Sequence, residues 1–158
     1  MQVTGAHLIN ETAPGGIVSF EFAGSLDRSA EIMESWQGDA MGWAKINMGI
    51  DFIFLSCYAL AIALACLLVS SRVRNLYPLF ASWGRWFALV ILVAAGLDVI
   101  ENLALIALLS GWQHTLLPIL AKVAAIPKFI MVALSLLYAL VGFGLTGLIR
   151  LKHPATVS

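Results

Sequence analysis

Residues 52–71 read FIFLSCYALAIALACLLVSS, an uncharged run closed by Asp51 on one side and Arg72 on the other. Crossing the hydrocarbon of a bilayer takes about 20 helical residues at a rise of about 1.5 Å each, which is the length of this run. The run does not alternate apolar with polar, as a half-buried strand would. An open sheet also leaves backbone groups unsatisfied in lipid. A second uncharged run covers residues 129–149, between Lys128 and Arg150. A third, residues 86–110, is long enough to cross but carries Asp98 and Glu101 inside it. The fold expected is all-α: an integral membrane helical bundle of three transmembrane helices plus an N-terminal amphipathic helix. The spans are placed at about 46–71, 86–110 and 127–150, within a transmembrane domain of residues 46–152. Residues 1–45 form an extracytoplasmic segment and residues 153–158 a short tail.

Composition agrees. Of 158 residues, 61% are hydrophobic and 11% charged, whereas a soluble domain carries about 25% charged residues. The net charge is zero, but the signs are unmixed. Glu11, Glu21, Asp27, Glu31, Glu34 and Asp39 all precede the first apolar run, and Asp51, Asp98 and Glu101 lie inside apolar runs. Arg72, Arg74 and Arg85 follow the first span, and Arg150 and Lys152 follow the third. With three spans these five bases share a side, and the positive-inside rule makes that side cytoplasmic. The N-terminus is then extracytoplasmic and the C-terminus cytoplasmic. Trp43 and Trp112 fall at one interface, Trp83 and Trp86 at the other. The first 45 residues lack a basic stretch followed by a short apolar core, so no secretory signal is expected.

Outside the spans, residues 17–23 alternate in the manner of a short strand. Residues 26–37 read as an amphipathic helix with Ser25 as N-cap and Gly38 as its stop. Leu26, Ala30, Met33 and Gln37 form one stripe, and Ile32 and Trp36 an adjacent one. Such a helix lies on the membrane or covers the end of the bundle. Residues 70–85 read as a compact connector. Residues 115–126 are apolar but too short to cross alone. They are read as the start of one long helix from about Thr115 to Leu151, bent at Pro127.

The ionisable residues of the spans are the candidate site. Asp98, Glu101 and Asn102 are spaced i, i+3, i+4 and so share a helix face. Counting inward along the helices, Asp51 lies ~8 Å and Glu101 ~14 Å from the same boundary, and Lys128 opens the third span there. A carboxylate at the bilayer centre costs about 3 kcal/mol or more and is rarely left facing lipid. It is protonated, paired, hydrated or bound to a cation. Lys128 is expected to pair one carboxylate, leaving the others to a ligand, a proton or water. Tyr58, seven residues after Asp51 on the same face, is a further candidate. The ligand-binding or polar cluster is therefore Asp51, Tyr58, Asp98, Glu101, Asn102 and Lys128. The plainer alternative is a polar knot that keeps three helices in register, where each hydrogen bond contributes about 0.6–2 kcal/mol. Lys122 is read as reaching back to the interface.

Other patterns carry less. Gly142, Gly144 and Gly147 match G-x-G-x-x-G, but inside an apolar helix the glycines serve close packing. Ala59, Ala61, Ala63, Ala65, Ala94, Ala95 and Gly96 fit the same role. His7, His114 and His153 are scattered, and no metal-ligand spacing is present. Cys57 and Cys66, nine residues apart on one helix, are too distant for a disulfide. Asn10-Glu11-Thr12 has the form of a glycosylation acceptor. No cofactor is specified, no nucleic-acid face is present, and the catalytic residues are unknown.

The stretches Asp51-Phe52-Ile53-Phe54 with Tyr58, Leu97-Asp98-Val99-Ile100-Glu101-Asn102 and Lys128, with Phe20-Glu21-Phe22-Ala23-Gly24-Ser25 upstream, resemble small bacterial multi-pass membrane proteins of unassigned function. The resemblance covers roughly residues 20–150 and implies no activity. Three readings follow from the residues. The leading one is a binding or accessory membrane subunit whose cluster holds an ion, a lipid head group or a partner's charge. The second is an enzyme on a lipid-soluble substrate, with Asp98 or Glu101 as general acid or base. The third is a proton- or cation-coupled transporter, against which the apolar first and third spans argue. The lipid bilayer is the expected partner, together with a homo-oligomer or larger membrane complex, because three helices enclose little volume.

Overall fold

The computed structural model describes the backbone of residues 5–152 and the side chains of residues 5–148. The tail of residues 153–158, with His153, lies outside the described residues, as do the side chains of Arg150 and Lys152. Two short helices, α1 (Ile17–Glu21) and α2 (Leu26–Ser35), precede three long ones: α3 (Ala40–Val73), α4 (Pro78–Leu109) and α5 (Leu116–Lys152). There is no strand among the described residues. All three long helices are long and apolar enough to cross a membrane.

The long helices run well past their uncharged runs. At 34 residues, α3 is longer than the ~20 that hydrocarbon requires. Its first turns carry Trp43 and Lys45 ahead of Asp51. The short apolar piece before Pro127 and the uncharged run of residues 129–149 are joined in one continuous helix from Leu116, with Pro127 inside it. Proline there has no N–H to offer the carbonyl of Val123.

Two compact units are present, one built from Met1–Ser56 and Gly96–Lys128, the other from Cys57–Ala95 and Phe129–Ser158. In the first, the N-terminal helices pack onto the long ones. Phe20, Ile32 and Trp36 are buried together with Leu8, Met48 and Leu105. Trp36 donates from its indole nitrogen to the Leu8 carbonyl at 2.9 Å, and Phe20 meets its ring edge-to-face at 5.4 Å. Of the two places open to the amphipathic helix, it takes the one covering other helices. Its buried stripe is Ser29, Ile32 and Trp36, while Leu26, Ala30 and Met33 are half-buried. Ser25 caps it by accepting from the Arg28 amide at 3.3 Å, and the chain leaves the helix through Gly38 at φ +62°.

The strand reading of residues 17–23 is corrected: residues Ile17–Glu21 are helical. Phe20 and Glu21 are adjacent and both buried, an outcome that strand alternation does not produce on a one-sided surface. The Asn10 side chain is also committed to the fold. It donates to the Ser35 hydroxyl at 3.0 Å and accepts from the Ala13 amide at 2.7 Å.

The second unit is packed by small residues and aromatic rings. Cys66, Val69, Val73, Ile91 and Ala94 are buried with Ala59, Ala63 and Ala139. Tyr138 stacks on Phe80 and Phe87, with ring centroids 4.6 and 4.9 Å away, and donates to the Phe80 carbonyl at 3.2 Å. A Cβ added to Gly142 would lie 2.0 Å from Val69 Cγ1, whereas Gly144 and Gly147 face open space. Close packing therefore explains the first glycine of that motif and not the other two. Ala61 and Gly96, expected in the same role, are exposed. Both cysteines are free, Cys57 exposed and Cys66 buried.

The connector of residues 70–85 shrinks to residues 74–77. Ser71 donates to the Leu68 carbonyl at 2.8 Å and so stays within α3. Pro78 opens α4, at a position where a missing N–H costs nothing.

Candidate functional site

Four helices of the first unit supply a buried polar cluster. The i, i+3, i+4 face of α4 presents Asp98, Glu101 and Asn102, which are 3%, 0% and 1% exposed. From α5, directly after Pro127, comes Lys128, also buried. Asp51, half-buried, comes from α3.

Lys128 Nζ lies 2.9 Å from Asp98 Oδ1 and 2.7 Å from Glu101 Oε2. The first contact is a hydrogen bond. The second is a close ion pair in which Lys128 is also a hydrogen-bonding neighbour of Glu101. The expectation that Lys128 would pair a single carboxylate is thus corrected to two. An ammonium has three N–H donors, and one turn of helix sets Asp98 and Glu101 on the same side of it. Asp51 is held differently, accepting from Asn102 Nδ2 at 2.6 Å. Asn47, one turn before Asp51 on α3, is buried as well.

The sequence reading missed Glu21. Counted there among the acids ahead of the spans, it is in fact 7% exposed and faces the cluster from the end of α1. Its carboxyl is a hydrogen-bonding neighbour of Glu101. Two ionised carboxylates accept only and cannot bond each other. Glu21 Oε2 and Glu101 Oε1 would both remain buried without a donor, and one proton between the two carboxyls supplies it. Burial pushes Glu21 up to about 8, with the negative charge of Glu101 adding to the effect, which favours the neutral form of Glu21 at neutral pH. A signal was present in the sequence: an acid between Phe20 and Phe22 is poorly placed to face water.

The remaining candidates lie elsewhere. Tyr58 is half-buried and packs against the apolar core of the second unit. Lys122 has an exposed side chain that crosses the turn after α1. A Cβ on Gly24 would come within 2.8 Å of its Cδ, and the positive φ of +71° at Gly24 favours glycine there whatever the space. His114 is exposed and accepts from the Leu116 amide at 3.3 Å, at the start of α5. His7 stacks on Trp43 at 5.4 Å. Among the described residues no three His, Cys, Asp or Glu side chains converge as a metal-ligand set.

Energetically, the cluster is a commitment. Desolvating an ion pair offsets much of its attraction, so it adds little net stability. Removing one partner, in contrast, costs about 3–5 kcal/mol because a buried charge is stranded. Comparison with protein-family models, curated proteins and solved structures finds no match to this chain, so no particular family is supported.

Proposed function

We propose that this chain is an integral membrane binding or accessory subunit whose buried acid cluster receives a positively charged group through Asp51. The observation that carries the reading is a charge imbalance with a way in. The long helices bring three carboxylates into this unit for one buried lysine: Asp98 and Glu101 flank Lys128, Asp51 is bound by Asn102, and Glu21 is buried beside Glu101. Lys128 is committed to Asp98 and Glu101, while Asp51 has an amide for its partner and is half-exposed. Its neighbours on α3, Ile50, Ile53 and Phe54, are exposed apolar side chains of the kind lipid covers. An ionised carboxylate at such a surface is expensive unless a cation meets it. A basic side chain of a partner helix, or the amine of a lipid-like molecule, meets that need without a metal-ligand set.

The N-terminus is placed outside and the C-terminus in the cytoplasm on the strength of the basic residues after the first and third spans. Association with further helices, in a homo-oligomer or a larger membrane complex, fits the same reading. Acid–base chemistry on a lipid-soluble substrate is the second reading. It is favoured by the two buried carboxyls of Glu21 and Glu101 lying side by side, and opposed by the engagement of both Asp98 and Glu101 with Lys128.

The test uses a simple cationic amphiphile. Dodecylamine is expected to raise the melting temperature of the detergent-solubilised chain more than dodecanol does. Asp51→Asn is expected to abolish that difference while leaving the unliganded melting temperature near wild type. Equal responses to amine and alcohol in the wild type, or an undiminished amine effect in Asp51→Asn, would overturn the reading.

A further inference from the structure

The second unit holds a feature that the acid cluster does not explain. Beside the short connector between α3 and α4 is a groove of about 480 Å³, lined by Arg74, Arg85, Ser70, Ser71 and Ser82 over Leu67. The two arginines come from opposite sides of the connector and converge on one concavity. Neither makes an ion pair or hydrogen bond among the described residues. Among the described residues no acid pairs with them, and the unit built from Cys57–Ala95 and Phe129–Ser158 contains no Asp or Glu side chain of its own.

The serines do not fill the gap. Ser70 donates to the Ala81 carbonyl at 2.6 Å, Ser71 to Leu68 and Ser82 to Leu79. Their protons are used within the protein, which leaves the guanidinium groups as the donors facing the groove. Arginine presents a planar fork of N–H groups that matches the oxygens of a phosphate, and two such forks over one concavity favour a single anion between them. The neighbouring surface is suited to the bilayer interface, with Trp83 and Trp86 both exposed on α4.

We propose that this groove binds the phosphate head group of an anionic phospholipid. The ligand chemistry is a phosphodiester. The bilayer is its source because the groove lies beside two long apolar helices with interfacial tryptophans. A zwitterionic head group carries its own ammonium, which two unpaired arginines repel, so the site discriminates by net charge. Arg72 provides an internal control. It is exposed and belongs to the same basic stretch, but it does not line the groove. A diffuse attraction of positive charge to an anionic surface makes all three arginines equivalent; a built site does not.

Native mass spectrometry of the full chain in detergent, titrated with phosphatidylglycerol or phosphatidylcholine, tests this. Wild type is expected to bind phosphatidylglycerol at least about tenfold more tightly. Arg74→Gln and Arg85→Gln are each expected to weaken that binding about fivefold, and the double variant roughly 25-fold. Arg72→Gln is expected to change it less than about twofold. Arg74→Lys with Arg85→Lys should restore part of the affinity, which excludes simple misfolding as the cause of any loss. Equal affinity for the two lipids, equal effects at all three arginines, or competition by millimolar inorganic phosphate would each overturn the proposal, the last by making the free anion the ligand.

Discussion

All nine acids of the chain fall in the unit built from Met1–Ser56 and Gly96–Lys128, and the unit built from Cys57–Ala95 and Phe129–Ser158 has none. The interior of the acidic unit is organised by charge: Lys128 against two carboxylates, Asn102 against Asp51, and Glu21 buried beside Glu101. The interior of the acid-free unit is organised by shape, with Gly142 against Val69, Gly84 against Ser70, and Tyr138 between two phenylalanines. Its polar contacts are neutral and end on backbone carbonyls, as from Ser135 to Phe87 and Cys66 to Ser135. The two designs fail differently. A close-packed interface loses a little for each misfit atom, whereas a charge cluster loses heavily when one member is removed.

The largest expected effect is therefore at Lys128. Lys128→Met keeps most of the apolar stem of the side chain and leaves the buried Asp98 and Glu101 without their cation. A loss of about 3–5 kcal/mol is expected, read as a fall in melting temperature and in yield of folded protein in detergent. Adding Glu101→Gln to Lys128→Met should return part of it, because one of the two stranded charges is gone. If Lys128→Met melts like wild type, the ion pairs do not hold this unit together.

Next comes pH. The docked Glu21 carboxyl keeps its proton up to about 8, against an ordinary value of 4.5. The docked state therefore binds more protons than the undocked state between those values. Stability of docking is fully present below about 4.5, falls as pH rises, and has been lost above about 8. The effect is on the order of a few kcal/mol, because a tenfold change in proton affinity corresponds to about 1.4 kcal/mol. Hydrogen exchange across α1 and α2 should accelerate between pH 5 and 8.5 beyond the intrinsic chemical rate. Glu21→Gln, neutral at every pH, should flatten that dependence. An unchanged pH profile in the variant would remove Glu21 from the cluster.

These two residues show what the sequence discloses. The three long helices were legible because apolar runs of about 20 residues or more have few alternative uses, even where one of them carries Asp98 and Glu101. The shared face of Asp98, Glu101 and Asn102 was legible because helical spacing alone dictates it. Lys128 was identified, but its double pairing was not, since that depends on where α5 sits against α4. Glu21 was invisible to the same reasoning. Its burial comes from an N-terminal segment folding onto the long helices, and residues 17–23 lacked the length to reveal their period. Tyr58, on the correct face of α3 for the cluster, packs instead in the second unit. Face is a local property; depth along a long helix is a tertiary one.

The acid-free unit has its own breaking point at Gly142. An alanine methyl there would sit 2.0 Å from Val69 Cγ1, so Gly142→Ala is expected to cost about 1–3 kcal/mol through overpacking. Val69→Ala in the same chain removes both offending methyl groups and should recover part of the loss. Gly144→Ala and Gly147→Ala, where no neighbour stands within 4 Å, should be neutral or slightly stabilising in a helix. Equal costs at all three glycines would mean that backbone freedom, not close approach, is what this helix needs.

The smallest effect is expected where shape and polarity meet inside the acidic unit. Trp36 is an apolar core residue whose one polar atom reaches back to the Leu8 carbonyl at 2.9 Å. Trp36→Phe keeps a ring against Phe20 but removes the donor and part of the volume. A neutral hydrogen bond contributes about 0.5–1.5 kcal/mol net, while a buried carbonyl left without a donor costs about 1–3 kcal/mol. The variant should fall near the overlap, at about 1–2 kcal/mol, with looser hydrogen exchange over residues 5–13 and little change in the long helices. The same substitution separates the two roles of the N-terminal segment. If the segment serves mainly to seal Glu21 against Glu101, loosening its far anchor should make docking more sensitive to pH. If shape alone holds it, Trp36→Phe and Glu21→Gln should act additively, because each then removes an independent contribution.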